Sequence, residues 1–137
     1  MSTTRDDAAK IWSLNYRVLL SVISSVEADI TALGLDPKAL FLLAEIGEHP
    51  YPAELATTLS MPKATVTVYL KRLEAAGFVR RQIDPADLRR HRLETTPAGR
   101  QATKDGLSLL SDAFGKRLER LSRSQQKELK NLLEHIL

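Results

Sequence analysis

No cysteine occurs in the 137 residues. That excludes disulfides, thiolate metal ligation, a cysteine nucleophile and thiol redox sensing, so any sensing has to use other chemistry. There is also no run of about 18 apolar residues such as a membrane-spanning helix requires. Met1 to Lys10 is polar, contains Asp6 and Asp7, and lacks the apolar centre of a signal peptide. The expected location is therefore cytoplasmic, with no membrane partner. Internal repeats, low-complexity tracts and linkers are missing too. His49, His91 and His135 fall in three separate segments without metal-ligand spacing. No nucleophile elbow, phosphate-cradling glycine loop or HExxH is present. The expectation is a chain that is not an enzyme and needs no metal and no cofactor.

What is present suits one domain: the length is ordinary for one, and 43% of the residues are hydrophobic, enough to bury a core. The net charge of +3 conceals an uneven distribution. Ser60 to Arg100 holds nine basic residues against four acidic ones, a balance of +5, leaving eleven basic and thirteen acidic elsewhere, a balance of −2. Such asymmetry points to a polyanionic partner, the alternative being an ordinary solvated face.

Along the chain, Ile11, Leu14, Val18, Val22, Val26, Ile30 and Leu33 recur at steps of three and four, one face of a helix from about Asp7 to Leu33. Gly34 suits its C-cap. At the standard rise this helix would be roughly 40 Å long, so part of it is expected to pack outside its own core. Asp36 and Pro37 start a short buried helix. Two more helices follow, about Pro52 to Leu59 and Pro62 to Ala76. Leu55, Ala56 and Leu59 form the inner face of the first, and Val66, Leu70 and Leu73 that of the second. Small Ala56 would let them cross closely, the pattern of a helix-turn-helix or of a plain helical hairpin. The period then changes. "FVRRQI" and "RHRLET", separated by "DPADLR", read as a basic β-hairpin around a turn. Thr96 and Pro97 start another helix, in which Gly106 and Gly115 either allow close packing or mark a bend. "SRSQ", Ser122 to Gln125, has capping-box spacing before a last helix whose apolar face is Leu129, Leu132, Leu133 and Ile136.

A helix-turn-helix followed directly by a basic hairpin is the winged-helix arrangement. "TVTVYLKRLEAAGFVRR" and "DPADLRRHRLETTPAG", with Asp84-Pro85, Asp87, Arg89, Thr96 and Gly99 at matching spacings, resemble the MarR family of bacterial transcription regulators. The likeness extends over the whole chain. It implies a mainly α fold with a small β-hairpin wing, in one domain: a winged-helix lobe over about 36–96, flanked by dimerisation helices over about 7–33 and 97–137. It also implies a homodimer, whose interlocked terminal helices would cover apolar faces that are excessive for a monomer. An intramolecular bundle is the other way to cover some of them.

A helix fits the major groove of duplex DNA and meets base edges with its N-terminal turns. By spacing, Lys63, Ala64, Thr65, Thr67, Val68 and Lys71 face outward on the second helix of the pair. Threonine hydroxyls can bond phosphates or bases, methyl groups can contact thymine, and the two lysines can meet phosphate or guanine. The family often has Arg where this chain has Val68, so a bidentate guanine contact is lost and readout shifts to apolar contact, shape and phosphates. On the wing, Arg89 is expected to enter a narrow minor groove. The resemblance implies that Asp87 braces it, with Leu88 standing where a basic residue is common. Arg90 and Arg92 are expected to supply phosphate contacts, and Arg80 is a further DNA-binding candidate, although at least one of Arg80 and Arg81 should face away from DNA. The expected partner is an imperfectly palindromic operator in double-stranded DNA.

Many family members bind small aromatic or lipophilic anions between the dimerisation helices and the DNA-binding lobe. Trp12, Tyr16 and Arg17 are candidates for such a ligand site. Trp12 and Tyr16 serve equally well as dimer-core residues. The expected function is a dimeric repressor relieved by a small-molecule ligand. The alternatives are a winged helix that binds an acidic protein, or a DNA-binding regulator without a ligand response.

Overall fold

The computed structural model describes residues 2–137; Met1, which opens the polar N-terminal stretch, lies outside them. The order is α1 (Arg5–Ala32), α2 (Pro37–Glu45), α3 (Pro52–Thr58), α4 (Lys63–Ala75), β1 (Val79–Asp84), β2 (Asp87–Thr95), α5 (Pro97–Leu118) and α6 (Arg123–Ile136). Two compact units divide the described residues: 27–108, and 2–26 together with 109–137.

The first unit is built on a core of Ile30, Leu40, Leu42, Leu43, Ile46, Leu55, Val66, Leu70 and Leu93, all nearly inaccessible to solvent. Burying each such side chain stabilises the fold by about 1.5–3 kcal/mol before entropy is counted. Asp36 caps α2 by accepting from Ala39 N at 2.8 Å, with Pro37 in the first turn. The helix α4 packs against α2 and α3, through the inward Val66, Leu70 and Leu73 that the spacing selects. The α3–α4 turn closes with Ser60 N donating to Thr57 O (3.3 Å) and Met61 N to Ala56 O (3.0 Å). This Schellman pattern needs a left-handed residue, and Ser60 takes that role at φ +51° where glycine is usual. Gly77, at φ +79°, ends α4 in the same way and turns the chain into β1.

The hairpin differs from its sequence reading in one respect. "DPADLR" is not all turn: only Pro85 and Ala86 separate the strands, because Asp87 already pairs with Asp84. Pairing runs from Val79↔Thr95 to Ile83↔His91 and then jumps to Asp84↔Asp87. Leu88, Arg89 and Arg90 thus have no partner on β1 and form a bulge in β2, a device that re-aims side chains. On the outer edge of β2, Leu93 N donates to Pro50 O at 2.8 Å, tying the wing to the segment before α3. Inside α5, Gly106 gives close packing, since a Cβ there would lie 2.6 Å from Leu40 Cδ1. Gly115 has open space around it.

In the second unit α6 begins with the expected capping box: Ser122 Oγ accepts from Gln125 N, and Gln125 Oε1 accepts from Ser122 N. No residue of α6 is buried, and Leu132, Leu133 and Ile136 are open to solvent. At the start of α1, Thr4 Oγ1 accepts from Asp7 N, which moves the beginning of the helix back to Arg5. Ile11, Trp12, Leu14, Tyr16, Val18, Leu19 and Leu20 are all exposed. Among the described residues no single helix is long and apolar enough to cross a membrane.

Candidate nucleic-acid interface

The outward side of α4 follows from the burial of its inner face. Lys63, Ala64, Thr67, Val68 and Lys71 are exposed, while Thr65 is half-buried. Neither Lys63 nor Lys71 is ion-paired among the described residues. Thr67 is less free than its position suggests, because its hydroxyl donates to Lys63 O at 3.0 Å. It retains acceptor capacity for a ligand donor.

At the wing tip the side chain of Arg89 is 93% exposed. Asp87 Oδ1 accepts from both Arg89 N (3.0 Å) and Arg89 Nε (3.4 Å), so one carboxylate oxygen holds the residue's backbone and its guanidinium together. The two residues expected to form a brace are therefore in contact. Leu88 beside it is 78% exposed. Arg80 lies across the hairpin from Glu94, with Nε 3.0 Å from Oε2, which offsets part of its charge. Arg81 is paired with Glu74. Arg92 is exposed and without an ion pair among the described residues.

Arg90 is exposed, and its guanidinium carbon lies 3.5 Å from the centre of the half-buried Tyr51 ring. The Tyr51 hydroxyl donates to Asp84 Oδ2 at 2.5 Å, and Ala86 N donates to Asp84 Oδ1 at 2.9 Å. Asp84 is the one buried charged residue of the described core. The hydrogen bond from Tyr51, then that from Ala86 N–H and the nearby Arg90 and Arg92, hold its carboxyl below the usual value against the opposing effect of burial. Tyr51 is pushed above the usual phenol value, first by its bond to Asp84 and then by burial. Sequence reasoning singled out Asp84 as part of a turn and of the family resemblance, and passed over Tyr51. A tyrosine before Pro52 and an aspartate 33 residues later carry no joint signal.

The ligand candidates Trp12, Tyr16 and Arg17 are all exposed on α1, where Arg17 lies about 100° round the helix from Tyr16. Trp12 and Tyr16 are stacked, with ring centres 5.9 Å apart and planes at 15°. A separate open groove of about 910 Å³ runs along α5 and α6, lined by Phe114, Leu118, Leu129 and Leu133 with Arg123, Lys127 and Lys130 at its edge. Glu45, Glu48 and His49 bring ligand-type atoms within 4.8 Å of one another. His49 in this group lies 4.0 Å from Glu45 and 3.8 Å from Glu54, the contacts of a surface ion-pair cluster.

Residues 33–90, from the turn after α1 to the wing tip, match the sequence model of the MarR family. The transcriptional repressor Rv2887 of Mycobacterium tuberculosis is 30% identical over 132 residues, covering 95% of each chain. The crystal structure of Rv2887 in complex with p-aminosalicylic acid superposes with a TM-score of 0.74 at 29% identity, covering 90% of this chain and 95% of that one. A mutant of MarR from E. coli, complexed with operator DNA, matches with a TM-score of 0.79 over 99% of both chains. At 22% identity that second likeness bears on the fold alone.

Proposed function

Because this chain belongs to the MarR family of DNA-binding transcriptional regulators, we propose that it is a homodimeric repressor that reads an imperfect palindrome in duplex DNA and releases it on binding a small aromatic or lipophilic anion. In this reading Lys63, Ala64, Thr65, Thr67, Val68 and Lys71 enter the major groove. Arg89 enters the minor groove, while Arg80 and Arg92 meet phosphates. The protein acts in the cytoplasm and is not an enzyme. The observation that carries the reading is the Asp87–Arg89 pair, an exposed guanidinium at the wing tip held by an acid two residues before it. An arginine so held is suited to the negative potential of a narrow minor groove.

The homodimer is supported by the apolar surface of the terminal unit. Ile11, Trp12, Leu14, Val18 and Leu19 on α1 and Leu132, Leu133 and Ile136 on α6 are all open to solvent, and clustered exposed apolar residues of this kind mark interaction surfaces. Release by a ligand is supported by the p-aminosalicylate complex of Rv2887. Ligand binding would shift the population between dimers that can and cannot span two half-sites. Trp12, Tyr16 and Arg17 offer aromatic faces and a cation to such an anion.

Selection from a random-sequence duplex pool tests the proposal. The expected product is an imperfect palindrome with half-sites about one helical turn apart. Retention of duplexes without sequence preference, or of an acidic protein in preference to any duplex, would contradict it.

A further inference from the structure

Arg90 is stacked on Tyr51 although it is open to solvent. Tyr51 is the residue that precedes α3, in extended conformation (φ −124°, ψ 138°), and its side chain makes no cap to its own helix. The side chain crosses instead to the wing. Its hydroxyl is fixed on buried Asp84, and the neighbouring Pro50 carbonyl accepts from Leu93 N. The ring is thus held at its far end by β1 and through its backbone by β2. Arg90 stacks on that fixed ring.

Arg90 is also the last residue of the bulge, whose three members have no pairing on β1. Without ladder hydrogen bonds, a bulge takes its shape from side-chain attachments. Two are present here: Asp87 to Arg89, which is internal to the wing tip, and Arg90 to Tyr51, which reaches the helix-turn-helix.

We propose that Tyr51 and Arg90 form a lock that sets the wing against the helix-turn-helix and so aims Arg89, Arg90 being a positioning residue and not a phosphate ligand. This rests on the DNA-binding reading above. A minor-groove contact and a major-groove helix have to reach two grooves of one duplex together, so their relative placement governs affinity. A guanidinium 3.5 Å from a ring centre is at contact distance, and moving it to a phosphate would give up that attraction. Asp84 holds the hydroxyl end of the ring and so restrains it from following.

The test uses a duplex that the wild-type protein enriches from a random pool, titrated by fluorescence anisotropy at several salt concentrations. Arg90→Gln and Tyr51→Leu are each expected to weaken binding on the order of tenfold, with the salt slope unchanged. The double variant should bind no more weakly than either single one, and Arg90→Lys, which keeps a cation over the ring, should recover most of the loss. In the Tyr51→Leu background, Arg89→Ala should have little further effect, a dependence that general loss of stability would not produce. If Arg90→Gln alone lowered the slope by about 0.9 while Tyr51→Leu bound like wild type, Arg90 would be a phosphate ligand and the lock would be overturned.

Amide hydrogen exchange without DNA separates the lock from the DNA reading. In Arg90→Gln the Leu93 and Ala86 amides should lose protection while those of Leu70 and Leu73 keep theirs. Unchanged protection at Leu93 and Ala86 would overturn the lock. Failure to enrich any duplex would count against the DNA reading, and the exchange result would still decide whether the lock exists.

Discussion

Gly99, in the first turn of α5, is pressed against the carbonyl of Phe78, which leads into β1. A Cβ at Gly99 would collide with that oxygen and lie 2.9 Å from its carbon. The same oxygen accepts from Thr96 N at 3.0 Å, while Thr96 Oγ1 donates to Gly77 O and accepts from Gly99 N. The base of the wing is therefore closed by backbone groups that cannot rotate away. Gly99→Ala is expected to lower stability by about 2 kcal/mol despite the better helix propensity of alanine. Gly115→Ala, with open space around it, is expected to raise stability by up to about 1 kcal/mol. Urea unfolding of the two variants beside wild type measures both.

Arg89→Ala should flatten the plot of log K against log salt by about 0.9, the effect of one lost phosphate-like contact. Asp87→Asn keeps the cation but weakens its brace, so affinity should fall with the slope little changed. Anisotropy titrations on the selected duplex distinguish these two results.

The Tyr51–Asp84 bond gives the wing base a pH window. The folded Asp84 has a pKa below its ordinary 3.8, so its contribution is present above that value and is lost as pH falls through the lowered one. The folded Tyr51 has a pKa above 10.0, so its contribution is complete below 10.0 and is lost as pH rises through the raised one. Unfolding midpoints should carry no dependence on this pair between those limits. Tyr51→Phe should remove the alkaline loss, and Asp84→Asn the acid one.

Much of this fold is legible in the sequence because its signals are local. Asp36 and Ser122 cap the helices they precede, and the inward Val66, Leu70 and Leu73 define the face of α4 by period alone. The wing tip is harder to read. A run such as "DPADLR" carries turn residues throughout, and only cross-strand pairing shows that Asp87 to Arg90 belongs to β2, with a bulge. The role of Arg90 was not legible at all, since it depends on Tyr51, a partner in another element 39 positions earlier. In charge patterning every exposed arginine of the wing reads alike.

The terminal unit yields a prediction about assembly. Leu133→Glu places a charge in the apolar face shared by Leu129, Leu132 and Ile136, on a helix with no buried residue of its own. If that face is covered by a second copy, the dimer dissociation constant should rise on the order of a hundredfold or more, with helix content unchanged. Sedimentation velocity and circular dichroism together check this.

The central claim is that two copies of this chain read one duplex with a helix and a braced arginine each. Its most direct test is a stoichiometric anisotropy titration of the DNA beside the protein's own gene, at two salt concentrations and with excess unrelated duplex present. The account predicts saturation at two subunits per site, survival against the competitor, and affinity that falls steeply with salt. Binding abolished by the competitor on both this DNA and the selected duplex, or saturation by a single subunit, would contradict it.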